Sequence, residues 1–253
     1  MDQFSGHNDI RGGGQFSGRL TAPWCFAGAL AMQLLETKNI RIRARIQSIA
    51  GIEDAPVDFA QPPMDSIPDS VLPCLDPEAA QKMAEAIEDA RMNLDSVGGV
   101  IECFITGLPA GLGDPMFDGV ENRLAQALFG IPGVRGVEFG EGFRAASMKG
   151  SGHNDPFRVD ESGNIVTETN RHAGILGGIT SGMPIIVRIA IKPTSSIARE
   201  QASVSLSRGE NAVLSVHGRH DPCIVPRAVP VMEAAAACTI LDMILESGVY
   251  KWN

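Results

Sequence analysis

The chain has 253 residues, 44% of them hydrophobic, which is enough to bury a sizeable core. Thirty acids against 21 bases give a formal charge of -9, which argues against a nucleic-acid partner, since that affinity rests on clustered Lys and Arg. Five scattered cysteines without a Cys-x-x-Cys pair exclude an ordinary zinc knuckle and argue against a disulfide framework. No uninterrupted apolar run approaches the roughly 18 residues of a membrane span. The opening Met1-Asp2-Gln3-Phe4 is not a signal peptide, so the expectation is a cytoplasmic protein without a membrane partner.

Residues 5–19 form a Gly- and Arg-rich loop. A helix follows, with Thr21 as expected N-cap, Pro23 in the first turn and an apolar body from Trp24 to Leu35. Ile40, Ile42, Ala44 and Ile46 alternate with Arg41, Arg43, Arg45 and Gln47, which predicts a half-buried strand with a basic outer face. Residues 53–74, rich in Pro, Asp and Ser, predict a long loop. Asp76-Pro77-Glu78 opens a helix to about Leu94, and a strand runs from Val97 to Thr106. A glycine-rich turn over 107–115 leads to a short helix from Asp118 to Phe129 and a strand from Val134 to Phe139. An irregular polar loop is expected over 150–174, a buried strand over 184–191, and a hairpin near 202–206 and 212–216. The closing helix is placed at Pro230 to Glu246. Without a regular βαβ rhythm, the pattern favours layered α+β over a doubly wound sheet, with residues 1–253 as a single domain. The pentapeptide Ser-Gly-His-Asn-Asp occurs twice, at 5–9 and 151–155, which chance or shared turn chemistry accounts for.

Four segments could carry chemistry. Arg11-Gly-Gly-Gly-Gln15-Phe16-Ser17-Gly-Arg19 precedes a helix, where converging backbone N–H groups, the helix dipole and two guanidiniums favour an anion over a merely flexible loop. Lys192-Pro193-Thr194-Ser195-Ser196 ends the most apolar strand and offers a cation and three hydroxyls, for a phosphate, a ring carbonyl or an ordinary strand end. In Gly218-Arg219-His220-Asp221-Pro222-Cys223, Asp221 suits a proton acceptor and His220 a donor, although a plain capped turn has the same composition. His172 to Gly182 is glycine-rich ahead of a buried strand, as close packing or a flat ring would require. The histidines lack metal-ligand spacing, so no metal is expected.

These segments, with Asp95-Ser-Val-Gly-Gly99, Gly107-Leu-Pro-Ala-Gly-Leu-Gly113 and Ala173-Gly-Ile-Leu-Gly-Gly-Ile179, stand in the order of the signature blocks of chorismate synthase, which the chain resembles from residue 5 to the closing helix. The resemblance implies helices sandwiched between antiparallel β-sheets and a homotetramer. It implies a lyase of aromatic biosynthesis at the last step of the shikimate pathway, an anti-1,4-elimination of phosphate from 5-enolpyruvylshikimate 3-phosphate. Reduced FMN is the implied cofactor, with NADPH as flavin reductant in some members, so a bare flavin reductase is a further option. By resemblance, Gln15, Phe16, Ser17, Pro132, Gly133, Gly177, Lys192 to Ser196 and Arg219 line the FMN. Arg11 and Arg19 hold substrate anions, and Asp221 with His220 moves protons. Pro132-Gly133 stands where the family has Asn-Ala, and Gln15 where Arg or His is usual. The family's Gly-Glu-Ser-His-Gly, Pro-Gly-Gln and Arg-Pro-Gly-His-Ala-Asp blocks, which hold its acid–base histidines, do not occur in these residues. The resemblance therefore implies an N-terminally shortened chain, weakly active or inactive alone. The alternative is an FMN-binding remnant, or half of a split enzyme that needs a complementary fragment.

Overall fold

The computed structural model describes residues 17–216, 218 and 221–249. Its frame is a five-stranded antiparallel sheet in the order β2-β1-β3-β9-β4, formed by β1 (Arg41–Ile49), β2 (Ile52–Glu53), β3 (Gly99–Thr106), β4 (Val134–Phe139) and β9 (Ile185–Ile191). The period-two pattern sets its faces. Ile42, Ala44, Ile46, Ile101, Cys103, Ile105, Val187 and Ile189 point into one core. Helices α1 (Thr21–Glu36), α3 (Val120–Phe129) and α5 (Val225–Ser247) belong to that same cluster, which extends from Ala31 to Ile244. The fold is α+β with antiparallel sheets, as expected. Helix α1 keeps Phe26, Leu30 and Leu34 exposed along an i,i+4 stripe.

The opposite face of the sheet is not the open basic surface expected from Arg41, Arg43 and Arg45. The loop over 54–72 folds back across it. Arg41 meets Asp65 at 2.6 Å and Arg43 meets Asp69 at 2.9 Å. Arg45, 2% exposed, lies between Asp54 at 2.6 Å and Glu102 at 2.8 Å. Asp54 also accepts the backbone N–H groups of Leu75 and Asp76, both at 2.8 Å. Met64 and Ile67 from the loop pack with Phe104, Ala173 and Ile186 into a second, small core. Alternation signals which residues share a face; it carries no information about what covers that face.

Helix α2 (Pro77–Met92) begins where its cap predicts, with Asp76 accepting from the Glu78 N–H at 2.9 Å. The first helix differs. Ser17 caps a 3-10 turn over Gly18–Leu20, so Thr21 is already helical and donates its hydroxyl to Gly18 O at 2.6 Å. Residues 150–174, expected to be irregular, contain the short α4 (Gly150–His153) and a hairpin of β5 (Phe157–Val159) and β6 (Ile165–Thr167). A second small hairpin joins β7 (Ile175–Leu176) to β8 (Ile179–Thr180), and the expected late hairpin is β10 (Gln201–Ser205) with β11 (Glu210–Leu214). Helix α5 starts at Val225, not Pro230. Pro226 occupies the first turn, where a missing N–H costs nothing, and Pro230 follows inside the helix. This helix is long and apolar enough to cross a bilayer, a feature hidden from a search for uninterrupted apolar runs, but 67% of its most apolar window is buried within the fold.

Candidate functional site

Four segments that are remote in sequence meet where β9 ends and β4 begins. Lys192 N–H donates to Gly133 O at 3.0 Å, which ties the end of one strand to the start of the other. Val97 N–H donates to Pro222 O at 2.8 Å, and the Ser96 hydroxyl donates to Thr194 O at 2.7 Å. Gly98 makes this approach possible, because a Cβ there would lie 2.4 Å from Ile191 O. Gly133 adopts φ +95°, and a Cβ on it would lie 3.0 Å from Ile224 Cδ1. The backbone there is held close on every side. Lys192 and Ser195 are exposed. The Thr194 hydroxyl is buried and has no hydrogen-bond partner among the described residues. Beside it, Asp221 pairs with Arg227 at 2.8 Å. Burial pushes the Cys223 thiol up, opposed by the Val225 N–H.

Pro132-Gly133, Lys192 to Ser196 and Asp221 are thus grouped in space. Gly177 is placed elsewhere, at the turn between β7 and β8. Its neighbour Gly178 accepts the N–H of Val120, the first residue of α3, at 2.9 Å, whereas Gly133 follows the other end of that helix. Ten residues at about 1.5 Å each put the two helix ends roughly 15 Å apart. Ser17 caps the 3-10 turn ahead of α1 and Arg19 lies within it, exposed and with no ion pair among the described residues. Arg11, Gln15, Phe16, Arg219 and His220 lie outside the described residues. Ser96 had no role in the sequence reading. Its signal was its place within the Asp95 to Gly99 block, and only the fold shows that the block abuts Thr194.

A second polar group lies away from these residues. Asp155 accepts from the Thr169 hydroxyl at 2.7 Å, from the N–H groups of Arg171 and His172, and pairs with His172 Nδ1 at 3.0 Å. Burial raises its pKa, but the donors from His172, Thr169 and Arg171 outweigh burial and leave the carboxyl below its ordinary value. The His153 ring stands edge-on to His172 at 4.3 Å. In the second copy of the pentapeptide, Asp155 therefore anchors a loop; the first copy lies outside the described residues. Among the described residues no group of three or more His, Cys, Asp or Glu could hold a metal ion.

A family model described as chorismate synthase matches residues 1–245. The chain belongs to the chorismate synthase family. By family it is an enzyme, a lyase. The chorismate synthase of Korarchaeum cryptofilum (strain OPF8) is 49% identical over 247 residues, covering 97% of this chain and 67% of the relative. That of Thermococcus gammatolerans is 49% identical over 248 residues, covering 96% and 67%. A structure titled "Crystal Structure of Chorismate Synthase" superposes with a TM-score of 0.77 at 30% identity, over 91% of this chain and 65% of that one. The chain thus spans about two thirds of the length of these proteins.

Proposed function

We propose that this chain carries the FMN-binding part of a chorismate synthase that eliminates phosphate from 5-enolpyruvylshikimate 3-phosphate to give chorismate. The observation that carries the reading is the Thr194 hydroxyl, buried inside the Lys192 to Ser196 turn and without a partner among the described residues. A buried polar group left unpaired is costly, so a ligand acceptor at this place accounts for it. The surroundings fit a flavin phosphate or ring edge. The exposed Lys192 ammonium attracts anionic oxygen. When bound, reduced FMN would supply an electron to the substrate as phosphate leaves and regain it as the ring proton is lost.

The chain's own residues orient and neutralise. Lys192 and the Thr194 and Ser195 hydroxyls hold the cofactor, and Arg11, Arg19 and Arg219 bind anionic groups of substrate and cofactor. Asp221 holds or accepts a proton on its carboxylate, which Arg227 at 2.8 Å fixes in place. His220 is the companion donor. The assembly is a homotetramer in the cytoplasm.

The test is chorismate formation under anaerobic conditions with reduced FMN and substrate. The chain is assayed alone and with a polypeptide that carries the family's two histidine blocks. Turnover that requires FMN supports the reading. Bound FMN without turnover in either assay overturns it and leaves a flavin-binding polypeptide.

A further inference from the structure

The sheet face opposite the helices bears a cleft of about 430 Å³ that the Lys192 site does not use. Its size falls within the roughly 300–1,000 Å³ of small-molecule sites. It is lined by the mid-strand residues Arg45, Glu102 and Arg188, by Val57, Asp58 and Phe59 of the covering loop, and by the segment Thr169 to Arg171.

Most charges around it are already matched. Arg45 is held by Asp54 and Glu102. Arg188 pairs with Glu138 at 3.0 Å, and Arg144 with Glu141 at 3.0 Å. Two charges are left over. Arg171 donates one side-chain hydrogen bond, from Nη1 to the Thr169 hydroxyl at 3.2 Å, and has no carboxylate partner among the described residues. Asp58 accepts the backbone N–H of Ala60 at 2.8 Å and has no basic partner among them. Next to Asp58, Phe59 holds its ring centroid 5.7 Å from the Arg188 guanidinium carbon and adds, with Val57, an apolar wall.

These leftovers describe a ligand. A polyanion would face Glu102, Glu138 and Glu141 across a cleft whose charges otherwise cancel, and a bare cation would face Arg171. One unmatched guanidinium, one unmatched carboxylate and an apolar wall suit a molecule that carries both charges and an apolar body. We propose that the cleft binds an amino acid with an apolar side chain. Its α-carboxylate sits on the Arg171 fork, its α-ammonium on Asp58, and its side chain against Val57 and Phe59.

Isothermal titration of the chain with L-phenylalanine as probe tests this, in the absence and presence of FMN. Phenylacetate lacks the ammonium and phenethylamine lacks the carboxylate. Saturable binding is expected for phenylalanine, with each analogue weaker by at least about tenfold, because each loses a charge-assisted hydrogen bond. Asp58→Asn keeps the acceptor for Ala60 and removes only the charge; it and Arg171→Gln should each weaken phenylalanine by about tenfold or more, with FMN affinity unchanged. If Arg171→Gln fails to fold, Asp58→Asn decides alone. The proposal is overturned by the absence of saturable binding up to about 10 mM. Equal binding of the analogues, or undiminished binding by Asp58→Asn, would overturn it too.

Discussion

Removing Arg45 should cost more stability than any other single change on the outer face of the sheet. Its guanidinium is 2% exposed, as is the side chain of Glu102, and that of Asp54 is fully buried. Nε reaches Glu102 at 3.0 Å, and Nη1 reaches Asp54 at 2.6 Å and Ala55 O at 2.8 Å. In Arg45→Met the stem is replaced at similar volume, but two carboxylates stay buried without a counter-charge. Breaking a buried pair in this way costs about 3–5 kcal/mol, a large part of the roughly 5–15 kcal/mol that holds a typical domain together. Urea denaturation followed by circular dichroism measures it. At a slope near 2 kcal/mol per M, the midpoint should fall by roughly 1.5–2.5 M. Adding Glu102→Leu removes one orphaned carboxylate, and the double variant should recover at least about 1 kcal/mol over Arg45→Met. A loss below about 1 kcal/mol for Arg45→Met would refute the claim that this arginine neutralises the buried pair.

Three further outcomes follow from other contacts. Gly28→Ala places a Cβ 2.3 Å from Ala234 Cβ, so α1 and α5 must separate; thermal melting should show a loss of about 1–3 kcal/mol. Burial pushes the Glu233 carboxyl up, against the hydrogen bond from the Ala44 N–H at 2.7 Å. A carboxyl raised in the folded state binds more protons folded than unfolded. Its contribution is therefore full below the ordinary value and is lost as pH rises through the raised one. Glu233→Gln should lack that loss, so the difference in melting temperature between the two proteins should grow with pH above the ordinary carboxyl range. Thr194→Val removes a buried hydroxyl that has no partner among the described residues, so the ligand-free protein should melt at the same temperature or higher.

Local signals were legible where a local interaction decides the outcome. The Asp76 cap, the apolar alternation of β1, the buried strand β9 and the late hairpin all stand where composition places them. Thr21 failed as a cap because Ser17 takes that role one 3-10 turn earlier, and both residues suit it chemically. Pro230 was read as a helix start, but Pro226 is the first-turn proline and tertiary packing carries the helix across the second. Periodicity puts Arg45 on the outer face, where it lies, but not its burial there, because its partners Asp54 and Glu102 lie in segments whose approach no periodicity encodes. The grouping of Gly133, Lys192 and Asp221 came from resemblance to a family; residue chemistry alone offered the segments of Lys192 and Asp221 separately and did not single out Gly133. Sequence could not place Gly177 at the opposite end of α3, since that depends on the Val120 N–H meeting Gly178 O.

The most direct test of the central claim is a fluorescence titration of FMN into the chain and into Thr194→Val and Asp58→Asn. The account predicts saturable binding that Thr194→Val weakens by roughly threefold to tenfold, while Asp58→Asn, on the far face of the sheet, leaves it unchanged. FMN that binds Thr194→Val as tightly as the parent, or does not bind the parent at all, would contradict the assignment of the cofactor to the Lys192 to Ser196 turn.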